Sequence, residues 1–276
     1  MMLERRRTIL SSYLTHLLSE GRVVFTRAEA ERELGVSGRS FLDAAERQQK
    51  HKHLISPRRG FYVIVPPQFH SWGAPPPSWY IDRLMQHEGR AYYVGLLKAA
   101  EQHGATHQAV MEFQVVTDKR LPKIRAGRST IVFYYRKDLE AVASGLEDRK
   151  TDTGRMYISC LELTLLDLGR YPHAGGGFDH VATVIAELGG RVDPARLATL
   201  SVSFERSVNQ RLGHLMERFG HHKSSVPLYQ AVMSNRPLPW VELEPSQAAD
   251  SDFRTEPTER DARWRVLVRR APEPEA

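Results

Sequence analysis

Residues 26–50 read TRAEAERELGVSGRSFLDAAERQQK. Thr26 followed three positions later by Glu29 has the spacing of a capping box, so a helix opens here. It runs to Leu34, and Gly35 stops it. Gly35-Val36-Ser37-Gly38 supplies a tight turn between two helices. Ser37 can cap the second of these, over 38–50, with Phe41, Leu42 and Ala45 sharing its inner face.

Working outward, residues 4–20 form an amphipathic helix, with Ile9, Leu10, Tyr13, Leu14, Leu17 and Leu18 on one stripe. Val23-Val24-Phe25 is a short strand. Downstream, 53–55 and 61–65 make a hairpin across Ser56-Pro57-Arg58-Arg59-Gly60. Helix, short strand, helix, turn, helix and hairpin in this order describe a winged helix-turn-helix over residues 1–66. In that motif the third helix enters the DNA major groove, where every base pair presents a distinct edge.

The candidate DNA contacts follow from facing and charge. Arg39, Ser40, Arg47, Gln48 and Lys50 lie on or flank the outer side of the third helix, and Lys52 follows it. Arg47 suits a guanine edge, and Lys50 and Lys52 suit phosphates. Ser37 and Thr26 stand at helix N-termini, where backbone N–H groups favour phosphate. Arg58 and Arg59 sit at the hairpin tip. Asp43, on the same outer side, counts against a purely electrostatic interface. Residues 1–66 contain 12 Lys/Arg and 7 Asp/Glu, against 27 and 26 in the remaining 210. The net charge of +6 is therefore concentrated in the first quarter, with Arg5, Arg6 and Arg7 in its first helix. Such asymmetry points to an anionic partner. The competing reading is a winged-helix protein-interaction module.

Beyond this unit, residues 67–77 are proline-rich and read as a stiff linker. A larger domain spans 78–243, with a helical 78–103 broken near Gly89, strands at 112–117, 129–136 and 155–159, and helices at 160–170, 178–189, 194–201, 204–219 and 224–233. Ser159 and Glu162 have capping-box spacing at the start of the helix at 160–170. The tail, 244–276, is polar and loose over 244–262, with a possible terminal strand at Trp264–Arg270. The fold class is α+β: an N-terminal winged helix-turn-helix followed by a larger mixed α/β domain with a small sheet and several helices. A chain that is 41% hydrophobic and 26% charged is ordinary for a globular protein. No apolar run is long enough to span a bilayer, and no apolar region follows the charged N-terminus as in a secretory signal. The single cysteine, Cys160, excludes an intrachain disulfide, and a cytoplasmic setting is expected.

Several stretches resemble the AbiEi-type antitoxins of type IV toxin–antitoxin systems, which double as transcriptional regulators. They are YYVGLLKAAEQHGATHQ at 92–108, FQVVT at 113–117, FYYRK at 133–137, TG at 153–154, LLDLGRY at 165–171, GGGFDHVATV at 175–184 and QRLGHL at 210–215. One departure is Ser159-Cys160-Leu161-Glu162, where family members often carry a proline. The resemblance implies that 78–243 is an antitoxin domain countering a nucleotidyltransferase-type toxin. It also implies that the N-terminal domain binds inverted repeats in double-stranded promoter DNA and represses its own operon. Inverted repeats would bring two copies together on DNA, although no heptad marks a dimer helix. No cofactor, metal or membrane partner is implied.

The enzymatic rival is a metal-dependent nuclease built on Glu112, Asp118-Lys119 and Asp148-Arg149-Lys150. Glu112 and Asp118 stand at opposite ends of one strand, which disfavours a shared ion. His103 and His107 have the spacing of a zinc pair, but Gly104 interrupts the helix and no third ligand is evident. Cys160 opens a helix without a partner base, Asp167 sits among leucines as a buried paired carboxylate, and Gly175-Gly176-Gly177 lacks the Lys-Ser/Thr of a P-loop. Lys119, Arg120, Lys123, Arg125 and Arg128 form a basic cluster that is either a solvated edge or a second nucleic-acid or toxin contact. The expectation is a protein without a catalytic site.

Overall fold

Leu10, Tyr13, Leu14 and Leu17 recur on one face of the first helix, and all four are buried. This helix, α1, spans Met2–Ser19. The computed structural model describes residues 2–105, 112–233, 237–244 and 256–273, without the side chains of 2–8. Arg5–Arg7, His107 and, in the tail, 245–255 and 274–276 therefore lie outside the described side chains. β1 (Val24–Thr26) leads into α2 (Arg27–Leu34), which Gly35 ends at φ 60°. α3 (Gly38–Lys50) is followed by β2 (Leu54–Arg58) and β3 (Phe61–Ile64).

These strands form an antiparallel sheet in the order β1-β3-β2, with Phe25 opposite Tyr62 and Leu54 opposite Ile64. Phe25 stacks on Tyr62 at 5.4 Å, while Phe41 meets Tyr62 edge-on at 5.3 Å and Tyr13 meets Phe25 edge-on at 5.5 Å. Each such pair contributes about 0.5–1.5 kcal/mol beyond its buried area. Together they hold α1 and α3 against the sheet. Leu42, expected on the inner face, is 40% exposed. At about 100° per residue it falls outside the stripe set by Phe41 and Ala45.

The proline-rich stretch expected as a linker is folded. Short 3-10 turns occupy Pro67–Phe69 and Pro77–Trp79. Phe69 meets Trp79 edge-on at 5.0 Å, Trp79 Nε1 donates to Asp152 at 2.8 Å, and Thr153 Oγ1 donates to the Trp79 carbonyl at 2.7 Å. α4 (Ile81–Glu88) and α5 (Leu96–Gln102) flank β4 (Tyr92–Val94). The break in the expected 78–103 helix is thus a strand. Tyr92, Tyr93 and Val94 are all buried, as on a central strand covered on both faces.

β4 joins β5 (Glu112–Thr117), β6 (Ile124–Ala126), β7 (Ser129–Tyr135), β8 (Leu146–Thr151) and β9 (Gly154–Ser159) in a six-stranded sheet ordered β6-β7-β5-β4-β9-β8. This is larger than the small sheet expected. β5 and β7 are parallel in register from Glu112–Thr130 to Thr117–Tyr135, and β6 pairs antiparallel with β7. β8, unforeseen in sequence, reads LEDRKT. It lies at the sheet's edge, where charges discourage pairing with another chain.

The chain divides into two compact units. The first comprises 1–93, 111–137 and 148–157, and the second 94–110, 138–147 and 158–276. This division crosses the boundaries expected at 66 and 78, because the residues after the first hairpin pack within the first unit. The second unit contains α6 (Leu161–Arg170), α7 (Phe178–Leu188), α8 (Pro194–Ser201), α9 (Arg206–Arg218) and α10 (His222–Met233). α6 is buried from Glu162 to Gly169, the condition of a core helix. Its cap is Cys160, whose Sγ accepts from Leu163 N at 3.5 Å. Ser159, expected as the cap, instead bonds Thr164 Oγ1 at 2.7 Å, and Glu162 accepts from Asp193 N at 2.7 Å.

β10 (Val241–Glu242), β11 (Glu259–Asp261) and β12 (Val266–Val268) form a third sheet, ordered β10-β12-β11. β11 falls in the stretch expected to be loose, of which 245–255 lie outside the described residues. Trp264 is fully buried, and a Cβ at Gly213 would collide with its ring. Among the described residues no helix is long and apolar enough to cross a membrane.

Candidate nucleic-acid interface

The turn from α2 into α3 is fixed by two caps. At α2, Thr26 N donates to Glu29 Oε2 at 2.6 Å, and Thr26 Oγ1 accepts from Glu29 N at 3.2 Å. Burial pushes the Glu29 carboxyl up, but the bonds from Thr26 and the charge of Arg83 outweigh it and hold the carboxyl below its ordinary range. The Thr26 hydroxyl is thereby engaged, and the carboxylate beside it would repel a phosphate. At α3, Ser37 Oγ accepts from Ser40 N at 3.4 Å.

The outer side of α3 presents Arg39, Ser40, Asp43, Arg47 and Lys50. Arg39 is 90% exposed and lies 3.6 Å from Asp43, one turn on. Lys50 pairs with Glu46 at 2.8 Å on the same helix. Both are exposed i,i+4 pairs of the kind that contribute little and exchange readily for a phosphate. Arg47 has no ion pair among the described residues. It borders a cavity of about 310 Å³ that Leu10, Leu34, Val36 and Phe41 also line. Lys52 is exposed just beyond the helix, with φ at 60°.

Two candidates face inward instead. Gln48 Nε2 donates to Ser11 Oγ at 2.8 Å, and Gln48 Oε1 lies 3.1 Å from His53 Nδ1. This amide ties α3 to α1 and to the hairpin. Arg58 pairs with Glu88 at 3.1 Å, donates to the Pro122 carbonyl at 2.7 Å and lies 5.7 Å from the centre of the Phe133 ring. Its side chain is only 18% exposed. Arg59 is exposed at the tip, and its carbonyl lies 3.1 Å from His87 Nε2. The structure thus brings Ser37, Arg39, Ser40, Arg47 and Lys50 together on one helix, with Lys52 and Arg59 flanking, and separates Thr26, Gln48 and Arg58 from them. No local pattern foretold the fate of Arg58, because Glu88, Pro122 and Phe133 are remote in sequence.

The residues considered for catalysis do not assemble. Glu112 and Asp118 bracket β5, roughly 20 Å apart at ordinary strand rise. β5 and β8 are separated by β4 and β9, so Asp118 and Asp148 stand on strands roughly 14 Å apart. Asp118 lies 3.8 Å from Arg90, and Asp148 pairs with Arg155 at 3.1 Å. Among the described residues no group of three His, Cys, Asp or Glu is arranged to hold a metal ion. His103 Nε2 lies 2.8 Å from the Ser159 carbonyl. Burial, chiefly, pushes the Cys160 thiol up to about 12, so it stays protonated and unreactive at neutral pH. At the glycine run, the N-terminus of α7 has its own anion: Asp179 pairs with Arg270 at 2.8 Å and accepts from Glu273 N at 3.1 Å.

Comparison with known proteins adds a family-model match over part of the chain and a likeness of fold. Residues 93–218 match the family model of the AbiEi antitoxin C-terminal domain, in agreement with the resemblance drawn from 92–215. No curated protein matches the chain. Among solved structures, the crystal structure of RV2827C protein from Mycobacterium tuberculosis is similar, with a TM-score of 0.66 at 15% identity, over 95% of this chain and 91% of that one. At that identity the likeness is one of fold.

Proposed function

We propose that this chain, with its AbiEi antitoxin C-terminal domain at 93–218, is the antitoxin of a type IV toxin–antitoxin system and a repressor of its own operon. Residues 1–66 act as a winged helix-turn-helix. α3 enters the major groove, and Arg47 reads a guanine through O6 and N7. Ser37, Ser40 and the free N–H groups at the start of α3 hold a phosphate, as do Lys52 and, after exchanging their carboxylate partners, Arg39 and Lys50. Arg59 reaches the backbone beside the groove. Thr26, Gln48 and Arg58 position these elements rather than touch DNA. Two copies occupy an inverted repeat, and the C-terminal domain counters a nucleotidyltransferase-type toxin in the cytoplasm without chemistry of its own.

The observation that carries the DNA reading is Arg47, a guanidinium on the outer side of α3 without an ion pair among the described residues. The test is a gel shift on the DNA upstream of the gene, over a salt series, with and without Mg²⁺. The expected result is a specific shift of intact DNA that weakens steeply with salt. Absence of a shift at low salt would leave a protein-interaction module, and Mg²⁺-dependent cleavage would restore the nuclease. The antitoxin reading is tested by co-expression with the neighbouring toxin gene. Changes at α3 should release repression while leaving rescue intact.

A further inference from the structure

The β6–β7 hairpin of the first unit has an exposed aromatic ring at each end. Trp72, 54% exposed, stands at its turn, and Tyr135, 38% exposed, at the far end of β7. Each ring is accompanied by an arginine. The Arg128 guanidinium lies 5.9 Å from the centre of the Trp72 ring, and that of Arg120 lies 5.3 Å from the Tyr135 ring. At the edge strand Lys123 and Arg125 are exposed; Arg125 is opposite Thr130, so by strand alternation both cations belong to the face opposite that of Tyr135. None of these four cations has an ion pair among the described residues. Asp118, the carboxylate next in sequence to the cluster, is held by Arg90 at 3.8 Å, and Glu112 stands opposite Thr130 on β5.

The Trp72 ring is mounted on a fixed backbone. Arg128 N donates to the Trp72 carbonyl at 3.0 Å. Gly127 has φ 58°, and a Cβ there would collide with that same carbonyl and with the Gly73–Ala74 backbone. A large apolar ring held rigidly in solvent beside cations is the composition of a base-stacking platform.

We propose that this edge binds single-stranded nucleic acid, with a base stacked on Trp72, phosphates passing over Lys123 and Arg125, and the strand wrapping the sheet's edge to stack a further base on Tyr135. The rings decide against a duplex. Bases inside a duplex have no free face to offer, so a duplex would use the cations and leave both rings idle. An unpaired base stacks on the ring face that the guanidinium leaves uncovered, while the guanidinium, itself in cation–π contact with the ring, draws the adjoining phosphate. The seven residues of β7 span roughly 20 Å, compatible with a site within the ~4–16 nucleotides used by other single-strand binders. The surface is distinct from α3, so the operator reading and this one fail separately.

The test is fluorescence anisotropy of the full chain with labelled oligothymidylate and oligouridylate of about 12 nucleotides, against a duplex of random sequence and the upstream DNA. Trp72→Ala is expected to weaken single-strand binding roughly 5- to 150-fold, the range for one lost stack, and Tyr135→Ala similarly. Upstream-duplex binding should be unchanged for both. Trp72→Phe keeps a ring and should retain most of the affinity while losing the quenching of tryptophan fluorescence on binding. Circular dichroism confirms that the variants fold. No single-strand binding at low salt, equal losses for single strand and random duplex, or wild-type affinity in Trp72→Ala and Tyr135→Ala would each overturn the proposal.

Discussion

On α3, Arg39 is 90% exposed, and among the described residues its only ion pair is a surface contact with Asp43 at 3.6 Å. On the neighbouring hairpin, Arg58 is 18% exposed, ion-paired to Glu88, bonded to the Pro122 carbonyl and set beside the Phe133 ring. Both arginines are close in sequence to a turn, and both looked equally available for DNA. The difference is what stands behind each. α3 packs through Phe41 and Ala45 and leaves its other side to solvent. The hairpin is backed by α4 and by the β6–β7 strands of the same unit, which supply a carboxylate, a carbonyl and a ring. A cation that already has three partners stabilises a fold, whereas one with a loose surface partner remains available to a ligand.

Four measurements can break or sharpen this contrast, from the largest expected effect to the smallest. Arg47→Ala should cost about 1–3 kcal/mol of binding to the correct site, roughly 5- to 150-fold, and relax base preference at one position. Its denaturation midpoint should stay near wild type. Arg58→Ala should do the reverse. Loss of its charged hydrogen bonds should cost about 1–3 kcal/mol of stability, seen as a lower urea midpoint at constant m-value, with DNA affinity of the folded protein within about twofold. A large loss of affinity with unchanged stability would return Arg58 to the interface.

The second unit offers the same kind of inward pair. Asp261 Oδ2 lies 2.7 Å from His214 Nδ1, and Asp261 Oδ1 accepts from Arg263 N and Trp264 N. Burial pushes the Asp261 carboxyl up, but these bonds outweigh it and hold it below its ordinary value. The resulting stability is present above the unfolded carboxyl value of about 3.9 and is lost as pH falls through the lower folded value. Asp261→Asn should therefore cost about 1–2 kcal/mol at pH 7, and the deficit should shrink as acid titration proceeds. An unchanged pH dependence would remove Asp261 from the account. The smallest effect is expected for Arg39→Ala: a decrease of about one in the salt slope and similar weakening on every DNA sequence. A sequence-dependent loss would make Arg39 a base reader.

Much of the first 66 residues was legible because its signals are local. The Thr26–Glu29 box, the Gly35 stop and the Ser37 cap all appear where their spacing put them. What escaped depends on distant partners. The stretch 66–79 reads as a linker until Asp152 and Thr153 arrive to bind Trp79. β4 reads as part of a helix until neighbouring strands line both its edges and its side chains are buried on both faces. β8 is too charged to read as a strand without knowing that it is an edge. The α6 cap moved one residue, because Ser159 was drawn away by Thr164 and by the Val94 carbonyl. In the candidate interface, charge and facing on α3 were readable, but the inward turn of Gln48 and Arg58 was not.

The most direct test of the central claim is methylation interference on the upstream DNA with wild type and Arg47→Ala. A guanidinium reading O6 and N7 cannot tolerate a methyl group at N7. Wild-type binding should be blocked by methylation of one guanine in each half of an inverted repeat, and Arg47→Ala, while still folded, should lose that interference. An interference pattern identical in the two proteins would contradict the account.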